Sequence, residues 1–326
     1  MSDPQTLVQE RLHRRSWGFL GSQGYVLGMD IGSYGLRASL IDLAGHTYAS
    51  AYRNQDDIQG GPEAIIQAAI GLANGLLAEH GVQTSHLVRV GVGFGGPIDA
   101  RRGLVLVSHR MAGWEQFPLK QRIEDAFGAV TLVDNDANLI ALAEATFGIG
   151  HTKHHLFYLH LSRGVGGGLV LNGKLYHGAT TTAGEIGHAV VGMIDPIYPQ
   201  QIPGTLEQRV SIKALLRRAA ELGYDTDLLS DLFGPHPIAQ QVVSEAVDLL
   251  AMRLSQIVAL IDPEVIVIGG AVARSGGEPF LHAIQDRMRF YMASLVERPV
   301  PLEASVLGSE CVAIGGLALA LESMAD

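Results

Sequence analysis

Cysteine is almost missing from this chain. Cys311 is the one copy in 326 residues, so neither an intramolecular disulfide nor a multi-cysteine zinc site can form, which suits a reducing compartment. Positive charge is scarce too: 23 Lys and Arg face 33 Asp and Glu, for a net charge of −10. A surface of that sign repels phosphodiester backbones and argues against nucleic acid as a partner. The one basic cluster, Arg11, His13, Arg14 and Arg15, falls within residues 1–24 and reads as a solvated N-terminal tail. No run approaches the ~18 uninterrupted apolar residues of a membrane span. The start, MSDPQTLVQERLHRR, carries charge where a secretory signal needs an apolar stretch. These absences lead us to expect a soluble, cytoplasmic protein with no membrane partner.

What is present is apolar and periodic. Hydrophobic residues make up 47% and charged ones 17%, enough for sizeable cores, and the length favours two domains. Tyr25–Met29 is an apolar run reaching Asp30; Gly32 and Gly35 then turn the chain into a second run, Arg37–Asp42. Behind Pro62, residues Ile65, Ile66, Ala69, Ile70, Leu72 and Leu76 recur at helical spacing, predicting a helix over Gly61–Glu79. Leu87–Val92 is a buried strand opening into GFGGPID, and Val130–Val133 is another, delivering Asp134, Asn135 and Asp136 ahead of a helix over 137–147. The second half repeats this logic. A strand at Leu156–Leu161 meets a glycine turn, Gly164–Gly168, and Asn172-Gly173 marks a hairpin. A long helix from about Ile238 to Leu260 stops before Asp262-Pro263, and Val265–Ile268 enters Gly269-Gly270. Two halves of one order imply a duplicated α/β architecture, with ligands at the C-terminal ends of strands.

Two motif matches are decoys. Gly91, Gly93 and Gly96 have dinucleotide-fingerprint spacing, but Pro97 follows and no helix opens to hold a pyrophosphate. Gly168, Gly173 and Lys174 mimic a phosphate loop, yet Leu175 stands where a hydroxyl must reach magnesium. The informative residues lie elsewhere. Glycines 164, 166, 167 and 168 either make a tight turn or let backbone N–H groups approach an anion. Asp30 either forms a turn or orients a hydrated magnesium ion. Asp136, between Asn135 and Asn138, is either a helix cap or a working carboxylate. Glu185 and His188, in GEIGH, sit three apart and offer the acceptor and donor mixture that sugar hydroxyls need, although a lone histidine is as readily a core residue.

Taken together, NDAN (135–138), GVGGGLVLNGKLYHGA (164–179), GEIGH (184–188), GTLE (204–207) and VIVIGG (265–270) resemble the ROK family of bacterial sugar kinases and sugar-responsive repressors. GPID (96–99) and Gly113-Trp114 with Pro118-Leu119 add to the match, which runs in the family's order from about Gly28 to about Leu321. The resemblance implies a two-lobed actin-like (ribonuclease H-like) α/β ATPase fold with an interlobe cleft. It implies a tail over 1–24, a smaller N-terminal lobe of 25–136 plus about 312–326, and a larger C-terminal lobe of 137–311. Asp136 matches the general base that takes the proton of the sugar hydroxyl. Gly96, Asn135, Glu185, His188 and Glu207 match sugar-binding positions. Asp30, Gly32 and Ser33 match the first phosphate loop, with Asp30 holding Mg2+ through water. Arg163, Gly164 and Gly166 match the second loop, and Gly269 with Gly270 the adenosine-side turn. ATP and Mg2+ are the implied cofactors, a hexose the implied substrate, and a homodimer the implied assembly.

The chain departs from the family pattern at three places. Its first loop, Asp30-Ile31-Gly32-Ser33-Tyr34-Gly35, carries Tyr34 in place of a small hydroxyl residue and lacks the lysine that usually follows. Arg163 replaces the threonine before the second loop's glycines, where its planar fork can hold phosphate or fill the site. The cysteines that bind structural zinc in many members fall on Tyr198, Gln200 and Thr205, so no zinc is expected, and the segment Met193–Pro203 is expected to supply the bond that orients His188. The function expected is phosphorylation of a hexose hydroxyl. A catalytically weakened sugar sensor is the alternative, and a DNA-binding repressor is disfavoured by the net charge and by the short segment before Tyr25.

Overall fold

Short apolar runs become strands here and helically spaced ones become helices. The computed structural model describes residues 3–14, 24–32, 35–54, 58, 60–107, 112–192, 204–294 and 300–325. The chain begins with α1 (Pro4–Arg14), β1 (Tyr25–Gly32), β2 (Gly35–Asp42), β3 (Tyr48–Arg53), α2 (Pro62–Glu79) and β4 (Leu87–Phe94). It continues through β5 (Ile98–Asp99), β6 (Leu104–Val105), α3 (Leu119–Phe127), β7 (Val130–Asn135) and α4 (Asp136–Thr146). Then come β8 (Leu156–Leu161), β9 (Val165–Leu171), β10 (Lys174–Leu175), α5 (Glu207–Val210), α6 (Ile212–Glu221) and α7 (Pro237–Ile261). The last elements are β11 (Val265–Gly269), α8 (Ala271–Met292), β12 (Leu302–Ala304) and α9 (Cys311–Ala325).

These elements fall into two compact units. The first comprises Met1–Thr152, His177–Thr181 and Val306–Asp326, and the second Lys153–Tyr176 and Thr182–Ser305. The first unit's sheet has the order β3-β2-β1-β4-β7 and the second's the order β10-β9-β8-β11-β12. In each, three strands joined by tight turns run antiparallel, and two more, reached through helical crossovers, run parallel to the first. The duplication expected from the residue order is thus a duplication of topology. Asn172 (φ 55°) and Gly173 (φ 74°) close the β9–β10 hairpin in the left-handed region, as that dipeptide predicts.

The unit boundaries differ from those expected. α4 packs with α9 and the first sheet, so the chain leaves the first unit at Thr152 instead of after Asp136, and returns at Val306. The first unit is therefore the larger in residues. Nor is the N-terminal segment a solvated tail over its described part. α1 buries Leu7, Val8 and Leu12 in a cluster with Val26, Ile41, Leu43, Phe147 and Leu317. Arg11 donates to the carbonyls of Phe147 and Gly148, at the negative end of α4. Arg15 lies outside the described residues.

The glycines of β4 have a purely tertiary reason. A Cβ on Gly91 would overlap the carbonyl of Gly316, and one on Gly28 would overlap that of Ala313. α9 lies directly on β1 and β4 through these gaps, which accounts for Gly91 and Gly93, two of the three fingerprint-spaced glycines, without any dinucleotide. α9 is apolar nearly all round; the stretch Gly308–Ala325 could cross a membrane by length and composition alone, and it is 50% buried inside the protein. α8 is broken at Gly277 (φ 58°, ψ −159°), just ahead of Pro279.

Candidate functional site

In the first unit the chemistry gathers where β7 becomes α4. Asn135 adopts extended angles and caps the helix: its Oδ1 accepts the Ala137 N–H at 2.8 Å, and its Nδ2 donates to the Gly96 carbonyl at 3.0 Å. The cap therefore also ties down the Gly-Pro loop, bringing Gly96 and Asn135 together. Asp136 opens the helix with Oδ1 accepting the same Ala137 N–H at 2.7 Å. Its Oδ2 lies 3.3 Å from where a Cβ on Gly95 would stand, so the glycine leaves that oxygen room. Asp134 is 2% exposed. Its Oδ1 accepts the Asn135 N–H at 2.7 Å and Asn138 Nδ2 at 2.9 Å, while its Oδ2 meets His177 Nε2 at 2.5 Å.

Asp30 sits near the end of β1, 8% exposed. Burial drives its carboxyl up to about 7, the Arg37 guanidinium opposes that rise, and the nearby charge of Asp136 adds to it. Arg37 Nη1 stands 3.8 Å from Asp30 Oδ2. Gly32 pairs with Gly35 to close the β1–β2 hairpin, while Ser33 and Tyr34 lie outside the described residues. Among the described residues no three His, Cys, Asp or Glu are grouped to hold a metal ion. A lone carboxylate at a glycine turn fits Mg2+, which keeps most of its waters and takes its remaining oxygens from phosphate.

In the second unit one expectation is corrected. Gly166, Gly167 and Gly168 are not loop residues; they are strand residues of β9, paired with His160, Leu159 and Tyr158. The turn itself is confined to Ser162–Gly164, where the Ser162 N–H reaches the Gly164 carbonyl at 3.0 Å and Arg163 is exposed. The strand glycines serve close packing. A Cβ on Gly167 would stand 2.8 Å from the Gly184 carbonyl, and one on Gly187 would overlap the Val165 carbonyl. Gly184 (φ 89°) and Gly187 thereby lay the short 3-10 helix Ile186–His188 against β9. Glu185 precedes that helix and His188 ends it, with Glu185 Oε2 and His188 Nε2 3.7 Å apart and the histidine side chain 72% exposed. His188 is no core histidine. Glu207 opens α5 and accepts the Val165 N–H at 2.9 Å. Glu207 and the Gly184–His188 segment thus converge on Val165, at the start of β9.

Gly269 ends β11, and Gly270 (φ 94°) precedes α8; Cβ atoms there would overlap the Tyr158 hydroxyl and the Leu161 carbonyl respectively. The end of β8 and the N-terminus of α8 can meet only because both positions are glycine. Beyond Gly270, α7 and α8 enclose a pocket of about 670 Å³ lined by Phe233, Val243, Val247, Ser275, Gly276 and Phe280 among others. Neither this pocket nor the His177–Asp134 pair was visible from sequence; the spacing of their residues has no local signature. Tyr198, Gln200 and the segment expected to orient His188 lie outside the described residues, and the Thr205 N–H bonds Gln208 Oε1 at 3.0 Å.

The chain matches the ROK family model over residues 26–323. It is similar to a glucokinase of Halalkalibacterium halodurans, 28% identical over 319 residues, covering 90% of this chain and 94% of that protein. It is also similar to a xylose repressor of Caldicellulosiruptor bescii, 25% identical over 320 residues, covering 92% of this chain and 79% of the repressor. Among solved structures, a ROK family glucokinase from Streptomyces griseus in complex with glucose and AMPPNP superposes with a TM-score of 0.73 at 26% identity, over 92% of this chain and all of that one (100%). The two α/β units make up the actin-like ATPase fold.

Proposed function

Because the chain belongs to the ROK family, we propose that it is an ATP-dependent kinase acting on a hydroxyl of a hexose or hexose derivative, with Asp136 as general base. One observation carries this reading. Of the three polar residues where β7 meets α4, Asn135 is spent on capping and Asp134 on His177, whereas Asp136 Oδ2 makes no bond among the described residues and faces the space left by Gly95. That oxygen is the one placed to take a proton. As it does so, the sugar oxygen attacks the γ-phosphorus and the bond to the ADP oxygen breaks. The residues that the family resemblance assigns to the sugar hydroxyls are Gly96 and Asn135 in the first unit and Glu185, His188 and Glu207 in the second.

Phosphoryl transfer asks the protein for positioning and charge stabilisation more than covalent chemistry. The resemblance assigns Asp30, Gly32 and Ser33 to the first phosphate loop, Arg163, Gly164 and Gly166 to the second, and Gly269-Gly270 to the adenosine side. The apolar pocket beyond Gly270 takes the nucleoside base. Mg2+, when bound, neutralises charge on the β- and γ-phosphates, and Asp30 is the residue that holds it through water. The same reading makes the protein a cytoplasmic homodimer without structural zinc and without nucleic-acid or membrane partners.

A coupled ATP-consumption assay over hexoses and N-acetylhexosamines tests it. A general base contributes about 10²–10⁴ in rate, so Asp136→Asn lowers kcat by that factor; a variant with undiminished turnover overturns the assignment. A second reading, a catalytically weakened sugar sensor, is supported by Tyr34 in the first loop's sequence, by Arg163 at the second turn and by the repressor relative. A sugar-dependent rise in Tm with no transfer at any nucleotide selects it.

A further inference from the structure

We propose that His177 is a positioning residue for the general base, acting through Asp134 to lock the turn from which Asp136 projects. Neither His177 nor Asp134 figures in the catalytic or binding set assigned above, and the proposal rests on the reading of Asp136 as base.

A carboxylate as deeply buried as Asp134 is costly unless its charge is met and its lone pairs are occupied. Both oxygens are occupied. Oδ1 holds the Asn135 N–H and Asn138 Nδ2, and Oδ2 holds His177 Nε2. One side chain thus grips the capping residue on one side of Asp136 and the next helical turn on the other. Asn138 depends on it further: this residue is 5% exposed, and its own Oδ1 has no partner among the described residues, so Asp134 is what orients its amide. His177 is the group placed to meet that charge. Its hydrogen bond to Asp134 and, after the opposing effect of burial, the Asp134 charge raise its pKa, with Arg101 pulling the other way.

The backbone that presents His177 is itself held in uncommon conformations. His177–Thr181 belongs to the first unit, although β10 before it and the chain from Thr182 after it belong to the second. Gly178 has φ 72°, and Thr181, a β-branched residue, has φ 60°. A β-branched residue in the left-handed region persists only where the surroundings over-determine it, a condition that clusters at functional sites. Thr181 Oγ1 donates to the Thr180 carbonyl at 2.6 Å, with the Ile98 carbonyl of β5 a longer 3.5 Å away. His177 therefore meets Asp134 from a segment that holds two left-handed residues, Gly178 and Thr181.

Losing the pair frees Asp134, and with it the Asn135 amide and the Asn138 side chain, so Asp136 loses its aim. Misplacement of a reacting group by about 1 Å costs up to ~10²-fold in rate. In steady-state kinetics His177→Gln then lowers kcat by about 10–100-fold while KM for ATP stays within about threefold. His177→Ala behaves alike and recovers turnover with added imidazole, because the side chain is 31% exposed and solvent reaches its place. Histidine NMR finds the His177 pKa above the usual value in the wild type and lowered by Asp134→Asn, with Asp134 on β7 and Arg101 after β5 the charged groups facing it. Unchanged kcat in His177→Gln, or a loss that imidazole leaves untouched, overturns the proposal while leaving the Asp136 assignment standing. A wild-type protein with no transfer across the sugar panel overturns the kinase reading itself.

Discussion

The start of α4 and the start of β9 both present residues that the family resemblance assigns to the sugar, yet they are built in opposite ways. Around Asp136 side chains do the holding: Asp134 bonds Asn138, His177 and the Asn135 N–H, and the Asn135 side chain bonds the Ala137 N–H and the Gly96 carbonyl, all at 2.5–3.0 Å. Around Glu185 and His188 the backbone does the holding, through the glycine seam of Gly167, Gly184 and Gly187, and the side chains are left exposed. A group that must take a proton at one moment and from one direction benefits from a fixed geometry. Groups that recognise hydroxyls need only a fixed origin, and the ligand supplies the rest of their bonds.

That contrast can be broken most sharply at Asp136, where Asn substitution removes about 10²–10⁴ from kcat and leaves sugar-induced stabilisation intact, as turnover and thermal shift together show. At the other turn the largest effect falls on stability. Gly187→Ala forces a Cβ into the Val165 carbonyl, and urea unfolding shows a loss of about 2–4 kcal/mol. His188→Ala leaves the fold unchanged and raises KM for sugar about 10–100-fold, the cost of one lost hydrogen bond to a ligand in a part-exposed site. Ser244→Trp narrows the pocket beside α8 and raises KM for ATP about tenfold, with KM for sugar unmoved; equal changes in both would remove the base from that pocket.

The smallest effect is the pH dependence of the His177 pair. A histidine pKa raised in the folded state contributes stability that is fully present below the unfolded value near 6.5 and is lost as pH rises through the higher folded value. The stability gap between wild type and His177→Gln is therefore widest at pH 6 and closes on the alkaline side. Urea titrations at pH 6 and pH 9 that give equal gaps would show that His177 is not held charged.

Much of this molecule was legible because its reasons are local. The Asn172-Gly173 hairpin needs two left-handed residues in a row, and only such a dipeptide takes them cheaply. α7 ends where Asp262 turns left-handed (φ 51°) ahead of Pro263, a stop written in two adjacent residues. A cap at the start of α4 was legible likewise, but it falls on Asn135, one residue before the Asp136 weighed for it. Other features answer to partners far along the chain. Gly91 is a glycine on account of Gly316, Gly167 on account of Gly184, and α1 leaves solvent because Leu7, Val8 and Leu12 find the cluster around Phe147. The spacing of β4's glycines suggested a nucleotide fingerprint for the same reason that it was not one: spacing records that a Cβ is forbidden, not what forbids it.

The sequence by itself determined the main strands, the helices α2, α4 and α7, and the two-fold repetition of topology, since hydrophobic period, turn residues and caps act within a few residues. Only the tertiary structure decided where the units divide, which glycines lie against backbone, and that His177 stands against Asp134. Those outcomes depend on close approach between segments distant in sequence, and side-chain spacing along one strand carries no record of what lies across from it.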